Sequence, residues 1–194
     1  MSKLKKLMTK QCPDGARFLP LSELLNYEQP GKYLVASTAY DDAFETPVLT
    51  AGQTFILGYT DETTGIYPAS PENPVIIFDD FTTAFKWVDF PFKAKSSAMK
   101  MLQPKPSAPV SLRYIYFAML CIDFAPQEHA RQWISRYSSF NVPIPPVPVQ
   151  EEIIRSLDLF TALEAELRAE LAARRAQFDY YRRELLTFKE LRDV

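Results

Sequence analysis

Histidine occurs once in these 194 residues, cysteine twice and glycine five times, and those shortages exclude much. Cys12 and Cys121 have no CxxC spacing and no histidine nearby, so they are read as buried or idle thiols, neither a disulfide nor a metal site. The lone His129 is expected in a loop, in a surface or capping role. There is no glycine-rich phosphate loop, no GxSxG elbow and no HExxH. Asn73-Pro74 lacks the following Pro and aromatic with which adenine methyltransferases hold a flipped base. No catalytic residue is assigned. The acidic pairs Asp41-Asp42 and Asp79-Asp80 invite a metal, yet neighbours on a strand point to opposite faces, so they are read as hydrogen-bonded structural acids. No metal ligand and no cofactor of the chain's own is expected.

Long apolar runs are also missing. No stretch approaches the roughly 20 residues of a membrane span, and MSKLKKLMTK lacks the apolar core of a signal peptide, so no membrane partner and a cytoplasmic location are expected. A net charge of −2 excludes a generally basic coat for nucleic acid, which needs many phosphate contacts. Any such role must be local. Between Lys86 and Lys105 lie Lys86, Lys93, Lys95, Lys100 and Lys105 against Asp89 alone.

What is present divides at a proline run. Before it, TPVLTAG (46–52), QTFILGYT (53–60), NPVIIFDDF (73–81), AFKWVDFPF (84–92) and SAMKMLQP (97–104) alternate with turn signals and predict strands. SLRYIYFAMLCIDF (111–124) has helical spacing, and Pro109 suits a helix start. The aromatics Tyr67, Trp87, Phe90 and Phe92 are read as core. The fold class is α+β: a mostly-β globular domain with packed helices over 1–149, then one long helix over 150–194.

The prolines, Pro143, Pro145, Pro146 and Pro148, favour extended backbone up to a first helical turn and make a stiff elbow over 143–148. Beyond them a 4-3 apolar spacing never slips. One set of positions holds Ile153, Phe160, Leu167, Arg174, Tyr181 and Phe188; the other holds Leu157, Glu164, Leu171, Phe178 and Leu185. With no Gly or Pro to interrupt it, this is one helix of about 40 residues and roughly 60 Å. Its seam requires a partner, and no second heptad segment exists. In an antiparallel pair of identical helices centred on residue 169, Glu164 meets Arg174 of the other copy, and Leu167 meets Leu171. A slip of one heptad leaves both charges against apolar groups. An antiparallel homodimer is expected; the other reading is an amphipathic helix packed on its own domain.

At this point VPIPPVPVQEEIIRSLDLF and QFDYYRRELLTF resemble the end of a repeat in the specificity subunits of type I restriction–modification systems, with their PxPPxxxQ approach and closing YYR…LLxF. CPDGARFLPLSEL (12–24) resembles the opening of a target-recognition domain, and residues 46–102 resemble one variety of that domain. Such subunits carry two recognition domains and two helices, whereas this sequence has one of each and looks like a half-subunit. The resemblance implies a noncatalytic chain that recognises double-stranded DNA. It also implies partners: methyltransferase subunits, which bind S-adenosylmethionine, and restriction subunits, which use ATP and magnesium. Two copies would read an interrupted palindrome. Lys86, Lys93 and Lys95 are the expected phosphate holders, with Ser96, Ser97, Tyr59 and Thr60 facing base edges. The competing expectation is a structural coiled-coil adaptor, or an orphan DNA-binding module, that no longer serves a restriction complex.

Overall fold

The computed structural model describes residues 3–52, 54–126, 128 and 130–188. Contacts divide the chain into two compact units, Met1–Glu152 and Ile153–Val194. In chain order the elements are α1 (Lys3–Gln11), β1 (Arg17–Pro20), α2 (Leu21–Leu24), β2 (Leu25–Glu28), β3 (Thr46–Leu49), β4 (Ile56–Thr60), β5 (Val75–Asp79), β6 (Phe85–Val88), β7 (Lys93–Ala94), β8 (Met99–Pro104), α3 (Leu112–Met119), α4 (Gln132–Ser135), β9 (Asn141–Ile144) and α5 (Val147–Leu186). Each of the five predicted runs contains a strand. Residues 3–28, where no element was predicted, form α1, β1, α2 and β2.

Three sheets organise the first unit. The largest is antiparallel in the order β2-β8-β5-β6; β4-β3-β7 pairs β7 parallel to β3; and β1 pairs with β9. β5 explains the arrangement. Val75, Ile76, Ile77 and Phe78 are fully buried, the continuous apolar pattern of a strand covered on both faces. Val75 and Ile77 join Val88, Met99 and Met101 in a core with Leu49, Tyr67 and Phe92 from the β3 side. On the opposite face Phe78 packs edge-on to Trp133 at 5.1 Å and against Tyr137 at 4.8 Å. Tyr67 and Phe92 are thus core, as read; Trp87 and Phe90 are half-buried.

The acids after β5 hold this face together. Asp79 Oδ1 accepts from the N–H groups of Phe81 and Thr82, closing the turn into β6. Asp80 accepts from Gln132 N–H at its carbonyl (2.7 Å) and from Trp133 N–H at Oδ1 (2.8 Å), which docks α4. Its Oδ2 lies 3.0 Å from Lys100 Nζ, off the hydrogen-bonding direction, with both side chains 1% exposed. Asp41 Oδ1 likewise serves a turn, accepting from Ala43 N–H. Asp41, Asp79 and Asp80 thus have structural tasks, although neither pair lies along a strand as the alternation argument assumed.

α3 is shorter than predicted, ending at Met119 rather than 124. The chain tightens into i+3 bonds at Cys121 and Ile122, Phe124 packs on Phe140 at 5.2 Å, and Pro126 disfavours helix just before it. α5 starts three residues before the predicted 150, with Pro148 in the first turn where its missing N–H costs nothing. It is 40 residues long. Phe188, expected as the last seam position, lies past the helix end; residues 189–194 and His129 lie outside the described residues.

Candidate nucleic-acid interface

The expected phosphate and base contacts fall on two β elements and the turns that follow them. β7 leaves β3 at Ala94, and Lys95 N–H still donates to Leu49 O (3.0 Å) before the chain turns through Ser96 and Ser97 into β8. Lys95, Ser96 and Ser97 are exposed, and Lys95 Nζ lies 5.6 Å from the ring centroid of Tyr40. Ser96 Oγ accepts from Ala98 N–H, which shapes the turn but leaves Ser97 outward. Lys86, on the edge strand β6, is half-buried and pairs in register with Ile77, so its stem covers core and its ammonium is carried outward.

Two expected contacts turn inward instead. Lys93 is 3% exposed; its Nζ donates to Thr64 O at 2.7 Å and meets Glu62 Oε2 at 2.6 Å. A cation so held is not a phosphate holder: β7 ends at Ala94, so Lys95 escapes into the turn while Lys93 is held inside by Glu62 and Thr64. Thr60 is 1% exposed and its Oγ1 accepts from Glu62 N–H, so it supports the turn after β4 rather than meeting a base. Tyr59 points the other way, into an open groove with Thr46, Ile56, Ile66 and Phe90.

Glu62, which sequence reasoning missed, joins these loops. Its Oε1 accepts from the N–H groups of Ala36 and Ser37, both at 2.9 Å, while Oε2 meets Lys93. The Lys93 ammonium, with the Ser37 and Ala36 amides, holds the Glu62 carboxyl below the usual carboxylate range. Residues 36–37 and 60–65 are thereby fastened together. Gly65 takes φ +62°, and a Cβ there would fall 2.5 Å from Lys32 O. Gly58 lets the Tyr40 ring lie on β4, since a Cβ would come within 2.7 Å of Tyr40 Cβ. The only sequence signal for this clamp was the DETTG turn.

The elbow is built as tightly. Gln150 is 1% exposed; its Nε2 donates to Pro109 O (3.0 Å) and Pro145 O (2.9 Å), and its Oε1 accepts from Ser111 N–H (3.2 Å). One amide therefore joins the proline run to the start of α3. Tyr114 Oη donates to Pro143 O at 2.8 Å, its phenol pushed up to about 12 by burial. Along α5 the seam is uncovered: Phe160 is 65% exposed, Leu167 58%, Leu171 52% and Phe178 65%. Within this single helix Glu164 pairs with Arg168, and Arg174 with Glu170 and Gln177.

The specificity subunit of the type I restriction enzymes EcoR124I and EcoR124II of Escherichia coli is 55% identical over 98% of this chain. The chain is a homologue of type I restriction–modification specificity subunits. A putative type I specificity subunit of Haemophilus influenzae, S.HindORF215P, is 34% identical over 42% of the chain. No family profile matches. The chain spans about half the length of its Escherichia coli relative, 48%. Among solved structures, the type I S subunit of M. genitalium shares the fold at TM-score 0.63 and 14% identity, covering 85% of this chain and 44% of that one. The HsdS subunit of Thermoanaerobacter tengcongensis follows at 0.52 and 12% identity, covering 86% and 44%. These relatives are named for specificity, not for modification or cleavage. No described helix is long and apolar enough to cross a membrane.

Proposed function

We propose that this chain is a noncatalytic DNA-recognition half of a type I specificity subunit, and that two copies joined antiparallel through α5 read an interrupted palindrome. The uncovered seam carries this reading: Phe160, Leu167, Leu171 and Phe178 keep a strict 4-3 spacing, and the partner that covers them in register is a second copy running the other way. In that register Glu164 trades Arg168 for Arg174 of the other copy. Two identical recognition units related by a two-fold axis match two inverted half-sites, and the helix pair sets the number of unread base pairs between them. Lys95 and Lys86 hold phosphates, while Ser96, Ser97 and Tyr59 present donors and acceptors to base edges.

Methyltransferase subunits that bind S-adenosylmethionine, and restriction subunits that use ATP and magnesium, are the partners this dimer recruits. Identity to a specificity subunit over nearly the whole chain supports that role, as does the likeness to a structure described for complex assembly and conformational transition of a type I system, at TM-score 0.57 and 13% identity. Selection from a random duplex pool by the purified chain tests the reading. Retained sequences should contain two inverted copies of one short motif at a constant separation; a single unpaired motif would contradict the two-fold arrangement.

A further inference from the structure

The chain is acidic overall, yet α1 holds four lysines, Lys3, Lys5, Lys6 and Lys10, with no acid and no buried residue. Several other lysines are tied: Lys32 to Glu28, Lys93 to Glu62, Lys100 to Asp80, and Lys105 to the carbonyl of Ser22. Lys3 is tied too, at 2.8 Å to Glu152, whose side chain is 6% exposed. Lys6 and Lys10 follow at three- and four-residue spacing on the same helical face, exposed and with no carboxylate within 4 Å among the described residues. The far end of α1 is placed as definitely: Gln11 and Cys12 share a cleft with Pro146 and Val147. Helix α1 is thus tied to the first turns of α5 at Lys3 and meets the proline elbow at Gln11.

We infer that the Lys6–Lys10 face of α1 is a second, sequence-independent contact to the DNA backbone. This rests on the DNA-recognition reading above. The partner is a polyanion of regular spacing because the surface offers like charges one turn apart and little apolar area between them. Charge complementarity to phosphates is all it requires.

The test is the salt dependence of binding for the wild-type chain and for the double variant Lys6→Gln with Lys10→Gln, on the selected duplex and on the same duplex with both half-sites altered. Log affinity against log salt should flatten by about 0.9 for each phosphate given up, so by about 3 to 4 for four lysines in a dimer. The loss should be equal on the two duplexes, and Lys6→Arg with Lys10→Arg should restore it. An unchanged slope, or a loss confined to the selected duplex, overturns the inference. A wild-type chain with no preference between the duplexes, but with the slope change intact, sinks the recognition reading while upholding the lysine contact. Loss of binding to a modification subunit with DNA binding unaltered assigns the face to a protein and overturns the proposal.

Discussion

The recognition unit hides charge and the helix displays hydrocarbon. In residues 3–152, Lys93 and Lys100 are buried against Glu62 and Asp80, and Gln150 spends all its amide hydrogens inside the elbow. In α5 beyond Glu152, Phe160, Leu167, Leu171 and Phe178 are more than half exposed while the charges sit in ordinary pairs along one helix. Each inversion has its own meaning. A buried, paired charge fixes backbone that would otherwise wander, because moving it strands its partner in a low-dielectric site. An exposed apolar seam marks a surface completed by another chain.

Breaking the burial side should give the largest effects. Asp80→Ala strands the Lys100 ammonium and the Trp133 amide and should cost about 3–5 kcal/mol in urea unfolding, the magnitude for removing one member of a buried pair. If the cost were under about 1 kcal/mol, Asp80 would not be the tie that docks α4. Gln150→Ala leaves three backbone groups of the elbow without their partner and should cost about 1–3 kcal/mol. Its urea midpoint should fall with an unchanged m-value.

Glu62 sharpens the comparison through pH. Its folded pKa is depressed below its ordinary value of 4.5, so its contribution to stability is fully present above that value and is lost as pH falls through the folded pKa. Unfolding free energy followed from neutral pH downward should fall more steeply in the wild type than in Glu62→Gln, and parallel curves would remove Glu62 from the account. The smallest effect on stability, within about 0.5 kcal/mol, should come from Lys95→Glu, an exposed surface change. That variant should nonetheless lose DNA affinity, as measured by fluorescence anisotropy on the selected duplex.

Much of this was legible in the chain. Strand positions followed from apolar runs between turns, and α5 from an unbroken 4-3 period with a proline approach. Local pattern failed where a side chain's fate depends on a distant loop. Lys93 and Lys95 are the same residue type two positions apart with Ala94 between them, and strand alternation alone would put both on one face. The two-residue β7 ends at Ala94, so Lys95 escapes into the turn, while Lys93 is drawn in by Glu62, 31 positions earlier. α1 carried a charge pattern visible from the outset, but its position against the elbow is a tertiary fact. Gln150 was visible as a motif letter, and its reason, hydrogen bonds to Pro109, Ser111 and Pro145, was not.

The pairing of α5 is the centre of the account, and the solution mass of the chain tests it most directly, by light scattering of the wild type, of Glu164→Arg, and of Glu164→Arg combined with Arg174→Glu. The account predicts a dimer that the single change weakens and the double change restores, because in the antiparallel register residues 164 and 174 face each other across the two-fold axis. A monomer in all three would contradict it.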